Sequence, residues 1–121
     1  MALTKKVAPP NSLVLVSDLG GGENPKTMDG ELVSATNTCM AVGCLAEADG
    51  PTEITLAPLV EIDRAEKPIY EGMLRTPRRH VVIRSVLGQH LLELPVMQEL
   101  TKVKIWANHP REPDKLVIGA G

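Results

Sequence analysis

The stretch His80-Val81-Val82-Ile83-Arg84-Ser85-Val86-Leu87-Gly88-Gln89-His90-Leu91-Leu92-Glu93-Leu94-Pro95-Val96 decides the fold. Two runs rich in aliphatic residues flank a glycine, as the arms of a β-hairpin flank their turn. Gly88-Gln89 fits the centre of a type II′ turn, whose first central residue needs a positive φ. Pairing outward from that turn sets Arg84 opposite Glu93, a cross-strand ion pair worth about 0.2–1 kcal/mol. Val81, Ile83 and Ser85 then share one face with Leu92, Leu94 and Val96, and the charged pair takes the other.

Similar punctuation continues on both sides of the hairpin. Upstream, Leu13-Val14-Leu15-Val16-Ser17 is an apolar run too short for a helix and suited to a buried strand. Cys39 to Cys44 reads as another, Glu53 to Ala57 alternates, and Ile69 to Leu74 is a strand whose Gly72 suggests a bulge. Downstream, Thr101, Val103 and Ile105 alternate with Lys102 and Lys104. The Asn108–Asp114 turn and a last strand, Lys115 to Ile118, follow. About eight short strands with regular turn signals give an all-β fold, a single-domain antiparallel β-sandwich of jelly-roll-like form. Residues 1–11 read as a flexible lead-in and 12–121 as the domain. The longest irregular stretch, opened by Gly20-Gly21-Gly22, runs to Gly30, where binding or mobile loops tend to lie.

Composition narrows the class. Among 121 residues only Tyr70 and Trp106 are aromatic, which leaves no platform for stacking bases or sugars. Ten glycines and ten prolines are spread along the chain and leave no room for a helical bundle. Charge is uneven: residues 1–61 carry three basic and eight acidic groups, the remainder ten basic and seven acidic. Cys39 and Cys44 would point to opposite faces of one strand, so both are expected reduced and at least partly buried. Residues 1–11 do not read as a signal peptide, no run approaches the roughly 18 apolar residues of a membrane span, and a cytoplasmic address is the expectation.

The motifs of catalysis are missing. The triple glycine lacks the Gly-Lys-Ser/Thr of a phosphate loop and any following helix, and the three histidines lack partners at zinc spacing. No cofactor and no metal are therefore expected, and an enzyme is disfavoured. Arg75, Arg78, Arg79, His80 and Arg84 form the one basic cluster, but without interleaved aromatics nucleic acid is a poor fit. Arg78 and Arg79 suit a protein interface equally well. Trp106 has two readings, a ring packed under a neighbouring loop or an exposed anchor beside Arg111.

The stretch from His80 to Ile118, with Val81-Val82-Ile83-Arg84-Ser85, Leu94-Pro95 and Val103-Lys104-Ile105-Trp106, resembles the C-terminal half of the competence-protein J (ComJ) family of small bacterial nuclease inhibitors. The resemblance covers about a third of the chain and rests on no specific motif. It implies a single-domain β-sandwich that acts by binding an enzyme, and it assigns no site residue.

The reading that unites these features is a non-enzymatic protein-binding module, of the inhibitor or immunity type. Glu23, Asp29, Glu31, Glu47 and Asp49 would mimic phosphate and cover a basic active site. The alternative is a sandwich that binds a small ligand or a metal between the 20–30 and 108–114 loops, near His109. Aliphatic edge strands would also permit a homodimer by sheet extension.

Overall fold

The structure, a computed structural model, describes residues 2–121. The described residues form ten strands: β1 (Leu3–Val7), β2 (Leu13–Ser17), β3 (Val33–Ala35), β4 (Cys39–Gly43), β5 (Thr52–Pro58), β6 (Tyr70–Arg75), β7 (His80–Ser85), β8 (His90–Pro95), β9 (Leu100–Ala107) and β10 (Lys115–Ala120). The only helical pieces among them are three single 3₁₀ turns.

The decisive hairpin forms, but two residues out of the expected register. Val81 faces Leu94, Val82 faces Glu93 and Ile83 faces Leu92; the ladder then slips so that Arg84 faces His90 and Leu91 is the extra residue. The turn is longer than a two-residue loop. Gly88 N–H donates to Ser85 O at 3.0 Å, Ser85 N–H to Gln89 O at 2.9 Å, and Gly88 sits at φ +89°. A tight turn ending in a left-handed glycine satisfies the same glycine signal as a type II′ turn. Ser85 tips the choice, because its Oγ accepts from the N–H groups of Leu87 and Gln89 at 3.2 and 3.3 Å. A slip of two residues preserves which side chains share a face, since the strand period is two. The expected Arg84–Glu93 pair is lost: Glu93 lies 3.7 Å from His80 Nε2, and Arg84 Nη2 donates to Asp18 O at 3.0 Å.

Two five-stranded sheets result, in the orders β1-β5-β10-β9-β6 and β3-β4-β2-β7-β8. Val14, Val16, Met40, Val42, Val81 and Ile83 from one sheet join Ile54, Leu56, Val103, Ile105, Leu116 and Ile118 from the other in one continuous core. This is a sandwich packed with aliphatic side chains, each stabilising by about 1.5–3 kcal/mol on full burial. Pairing is antiparallel except between β5 and β10, which run parallel. The expected lead-in is corrected at Leu3–Val7, which pairs with β5 as an edge strand. The three residues of β3 were also unread. Gly72 marks no bulge, since β6 pairs with β9 without a break. A Cβ at Gly72 would stand 2.6 Å from Tyr70 Oη, so its missing side chain makes room for the Tyr70 ring.

Both sheets have their outer faces covered by a connection. Residues 59–69, between β5 and β6, strap across the first sheet. Trp106 lies beneath the strap, and its Nε1–H donates to Glu66 O at 2.9 Å. Leu59 and Ile62 sit over Gly119, where a Cβ would meet the Ile62 and Leu59 Cδ1 atoms at 2.5 and 2.7 Å. On the second sheet Leu15, Cys39 and Ala41 form an outward cluster covered by Met28 and Val86. Cys44 belongs instead to the central core, so the two thiols are free, buried and on opposite sides of the sheet.

Candidate functional site

The strand registers divide the loops between two ends of the sandwich. At one end the chain is knitted by Cys44 N–H to Ser12 O, Leu45 N–H to Pro113 O and Gly43 N–H to Leu32 O, each 2.8–2.9 Å. At the other, Thr76 N–H meets Glu99 O at 2.8 Å and Val96 N–H meets Arg79 O at 2.9 Å.

The first end gathers acids. Glu47 and Asp49 are exposed on the 3₁₀ turn that links β4 to β5. Glu31, also exposed, borders a cleft of about 290 Å³ together with Arg111 and Glu112. A neighbouring hollow of about 390 Å³ lies between Glu31, Tyr70 and Arg111. Asp29 stands at the turn just before them at φ +50°, and Glu31 N–H closes that turn on Met28 O at 2.8 Å. The 108–114 loop is held by its own side chains. His109 Nδ1 accepts from the N–H groups of Arg111 and Glu112 at 3.1 and 2.9 Å, and Asn108 Nδ2 donates to Asp114 Oδ1 at 2.6 Å. His109 is thereby a turn residue whose Nδ1 is occupied.

Glu23 is separated from the other acids. Its N–H donates to Thr38 Oγ1 at 2.8 Å and its carbonyl accepts from Thr36 Oγ1 at 2.6 Å, which fixes it beside the β3–β4 turn. Arg78 and Arg79 lie at that same end, in the turn between β6 and β7. Arg78 N–H donates to Asp18 Oδ1 at 3.1 Å, and Arg79 takes φ +56°. Arg79 reaches Glu99 only at 3.9 Å, and both side chains are largely exposed. The structure therefore brings Asp29, Glu31, Glu47, Asp49, His109 and Arg111 to one end, and Glu23, Arg78 and Arg79 to the other.

Trp106 is 6% exposed, so of its two readings the packed one holds and the surface anchor does not. It stands on the face of β9 opposite Val103 and Ile105, which belong to the central core. The 59–69 strap, not the 108–114 loop, is what covers it. Burial pushes the Cys39 thiol up to about 11, opposed by the nearby Arg84 guanidinium, and raises Cys44 as well. Both are poor nucleophiles at neutral pH. Among the described residues no group of three His, Cys, Asp or Glu is placed to hold a metal ion. Among them, too, no helix is long and apolar enough to cross a membrane.

Sequence reading missed two features of these ends. Glu112 and Asp114 join the acidic group from the C-terminal half, a grouping that the uneven charge of the halves conceals. Asp18, just before the triple glycine, is 2% exposed, and its carboxylate accepts from the Arg78 and Gly20 N–H groups at 3.1 and 3.4 Å. It pins the triple-glycine loop to the β6–β7 turn.

No family model and no curated protein matches this chain. Its fold is similar to two solved structures. One is ComJ, inhibitor of the DNA degrading activity of NucA, from Bacillus subtilis, at a TM-score of 0.69 and 8% identity, covering 98% of this chain and 93% of that one. The other is described as crocagin biosynthetic gene J, at a TM-score of 0.54 and 10% identity, covering 99% and 97%. At such identities the likeness is one of fold, and it runs through the whole chain rather than through the C-terminal third alone.

Proposed function

We propose that this chain is a non-enzymatic protein-binding module that inhibits an enzyme by covering its basic active site. The observation that carries the reading is the convergence of Glu31, Glu47 and Asp49 with Glu112 and Asp114 at one end of the sandwich. Carboxylates held on short, hydrogen-bonded loops present negative charge to a phosphate-binding cleft, and they steer a cationic partner toward that end. The shared fold with an inhibitor of DNA degradation supports a nuclease as the enzyme. Asp29 belongs to this surface, whereas Glu23 does not.

The test is capture from lysate, followed by assay of the captured enzyme for DNA degradation with and without added protein. The wild type should inhibit, with an affinity that falls as salt rises. The triple variant Glu31→Lys/Glu47→Lys/Asp49→Lys should bind about 100-fold more weakly while keeping its circular dichroism spectrum, since rim charges act on encounter and not on the core. Equal inhibition by the variant, or no enzyme whose activity responds, overturns the reading.

The cleft beside Glu31, Arg111 and Glu112 supports a second reading, a small-ligand site with three polar groups on a partly apolar wall. Among the described residues no three His, Cys, Asp or Glu gather to support its metal version. A thermal-shift screen of anionic and cationic metabolites separates the two: a stabilising ligand lost in Arg111→Ala favours the small-ligand site.

A further inference from the structure

We propose that an apolar groove at the opposite end of the sandwich docks a protein segment carrying one or two large apolar side chains flanked by carboxylates. The groove has a volume of about 420 Å³ and lies between the β5–β6 connection, the β8–β9 connection and the outer face of β6 and β9. Its rim exposes Val60 (93%), Met97 (88%), Leu100 (51%) and Met73 (46%), four of the six exposed large apolar residues among the described ones. Scattered single residues of this kind need no explanation, but four around one concavity do. Two of the four are methionines, whose flexible side chains adapt to varied apolar partners.

The floor is built to hold its shape. The Thr76 hydroxyl donates to Gln98 O at 2.7 Å, and the Thr101 hydroxyl donates to Thr76 Oγ1 at 2.7 Å. Both threonines are buried, so the segment carrying Met97 is tied to β6 and β9 before anything binds. A preorganised concavity favours a protruding side chain over a flat bilayer.

Charge around the groove selects the partner's flanks. Lys102 is the charged residue lining it. Lys102 and Lys104 share one carboxylate, Glu71, at 3.7 Å each. Arg79 has only the distant Glu99, and among the described residues no side chain or carbonyl answers the Arg75 guanidinium. Lys102 in the groove and Arg75, paired with the rim residue Leu100 across β6 and β9, thus put positive charge along one side of an apolar slot, which complements acidic residues next to an apolar anchor. The groove lies away from Glu31, Glu47 and Asp49, so its test is independent of the inhibitor reading.

The experiment is selection of a phage-displayed library of random short peptides against the immobilised full chain, followed by affinity measurement of the enriched peptides. The expected consensus is one or two of Leu, Ile, Phe or Met beside Asp or Glu. Met97→Asp and Val60→Asp, both at exposed positions that leave the core intact, should each weaken those peptides at least about tenfold, as a lost anchor pocket does. Arg75→Glu should weaken them about threefold, less at high salt. Enriched peptides that bind the Asp variants equally, or a consensus without acids, overturn the proposal. So does co-sedimentation with phosphatidylcholine vesicles containing phosphatidylglycerol, or self-association on gel filtration, if either is lost in the same two variants.

Discussion

Each sheet turns one face to the core, and each has its other face covered by a long connection, but the two covers are fastened differently. Over the β1-β5-β10-β9-β6 sheet the strap is apolar: Leu59 and Ile62 settle into the space left by Gly119, and the Trp106 ring lies beneath, with its one polar atom satisfied by Glu66 O. Over the β3-β4-β2-β7-β8 sheet the cover is mostly polar. Met28 and Val86 supply the apolar contacts, and Thr36, Thr38 and the backbone of Glu23 make the rest of the fastening. Gly22 is obligatory there because a Cβ would stand 2.0 Å from Thr38 O. One cover is held by area removed from water, the other by hydrogen bonds and close backbone approach. The two covers occupy much of both broad faces, which leaves the two ends, with the uncovered outer part of β6 and β9 beside the groove, for partners.

The largest expected effect is Trp106→Ala. It removes a buried ring and leaves Glu66 O unpaired, and should cost about 3–5 kcal/mol in urea unfolding. It should also speed trypsin cleavage after Arg64 in the strap while leaving the rate of cleavage after Lys26 in the other cover unchanged. An unchanged cleavage pattern would mean that the strap does not depend on the ring. Gly22→Ala should cost about 1–3 kcal/mol, because the obstacle is backbone and cannot swing aside. Here the trypsin pattern should reverse, with cleavage after Lys26 accelerated and cleavage after Arg64 unchanged. Met28→Ala, at a half-buried position, should cost about 1–2 kcal/mol, below the usual range for a core methionine.

The smallest effect concerns Cys39, which lies under the polar cover. Its thiol is raised from 9.0 to about 11 by burial, so the folded chain keeps a proton that the unfolded chain releases. That contribution to stability is complete below pH 9 and is lost as pH rises toward 11. Cys39→Ala should flatten the fall in unfolding free energy across that window. A thiol reagent at neutral pH should leave both cysteines unmodified until the protein is denatured.

Periodicity made the interior strands legible, because a buried strand must show an apolar run or alternation wherever it lies in the sheet. β1 escaped because Lys5 and Lys6 stand on an edge strand with one neighbour, where charge is tolerated and blunts unwanted pairing. β3 is too short to carry a period. The hairpin's faces were readable and its register was not, since Gly88 serves two turn geometries and only the Ser85 hydroxyl decides between them. Trp106 showed its parity but not its cover, because the strap comes from residues forty positions away. The acidic end was half legible for the same reason: Glu31, Glu47 and Asp49 were candidates on charge alone. Glu112 and Asp114 join them only once Leu45 has met Pro113.

The parallel pairing of β5 with β10 bears on how the chain is made. β5 lies between β1, which precedes it, and β10, which comes last among the strands. During synthesis β1 and β5 can pair early, yet one side of β5 stays open until Lys115–Ala120 has left the ribosome. The sheet therefore closes only after translation of the whole domain, and until then the unsatisfied edge of β5 is offered to any neighbouring nascent chain.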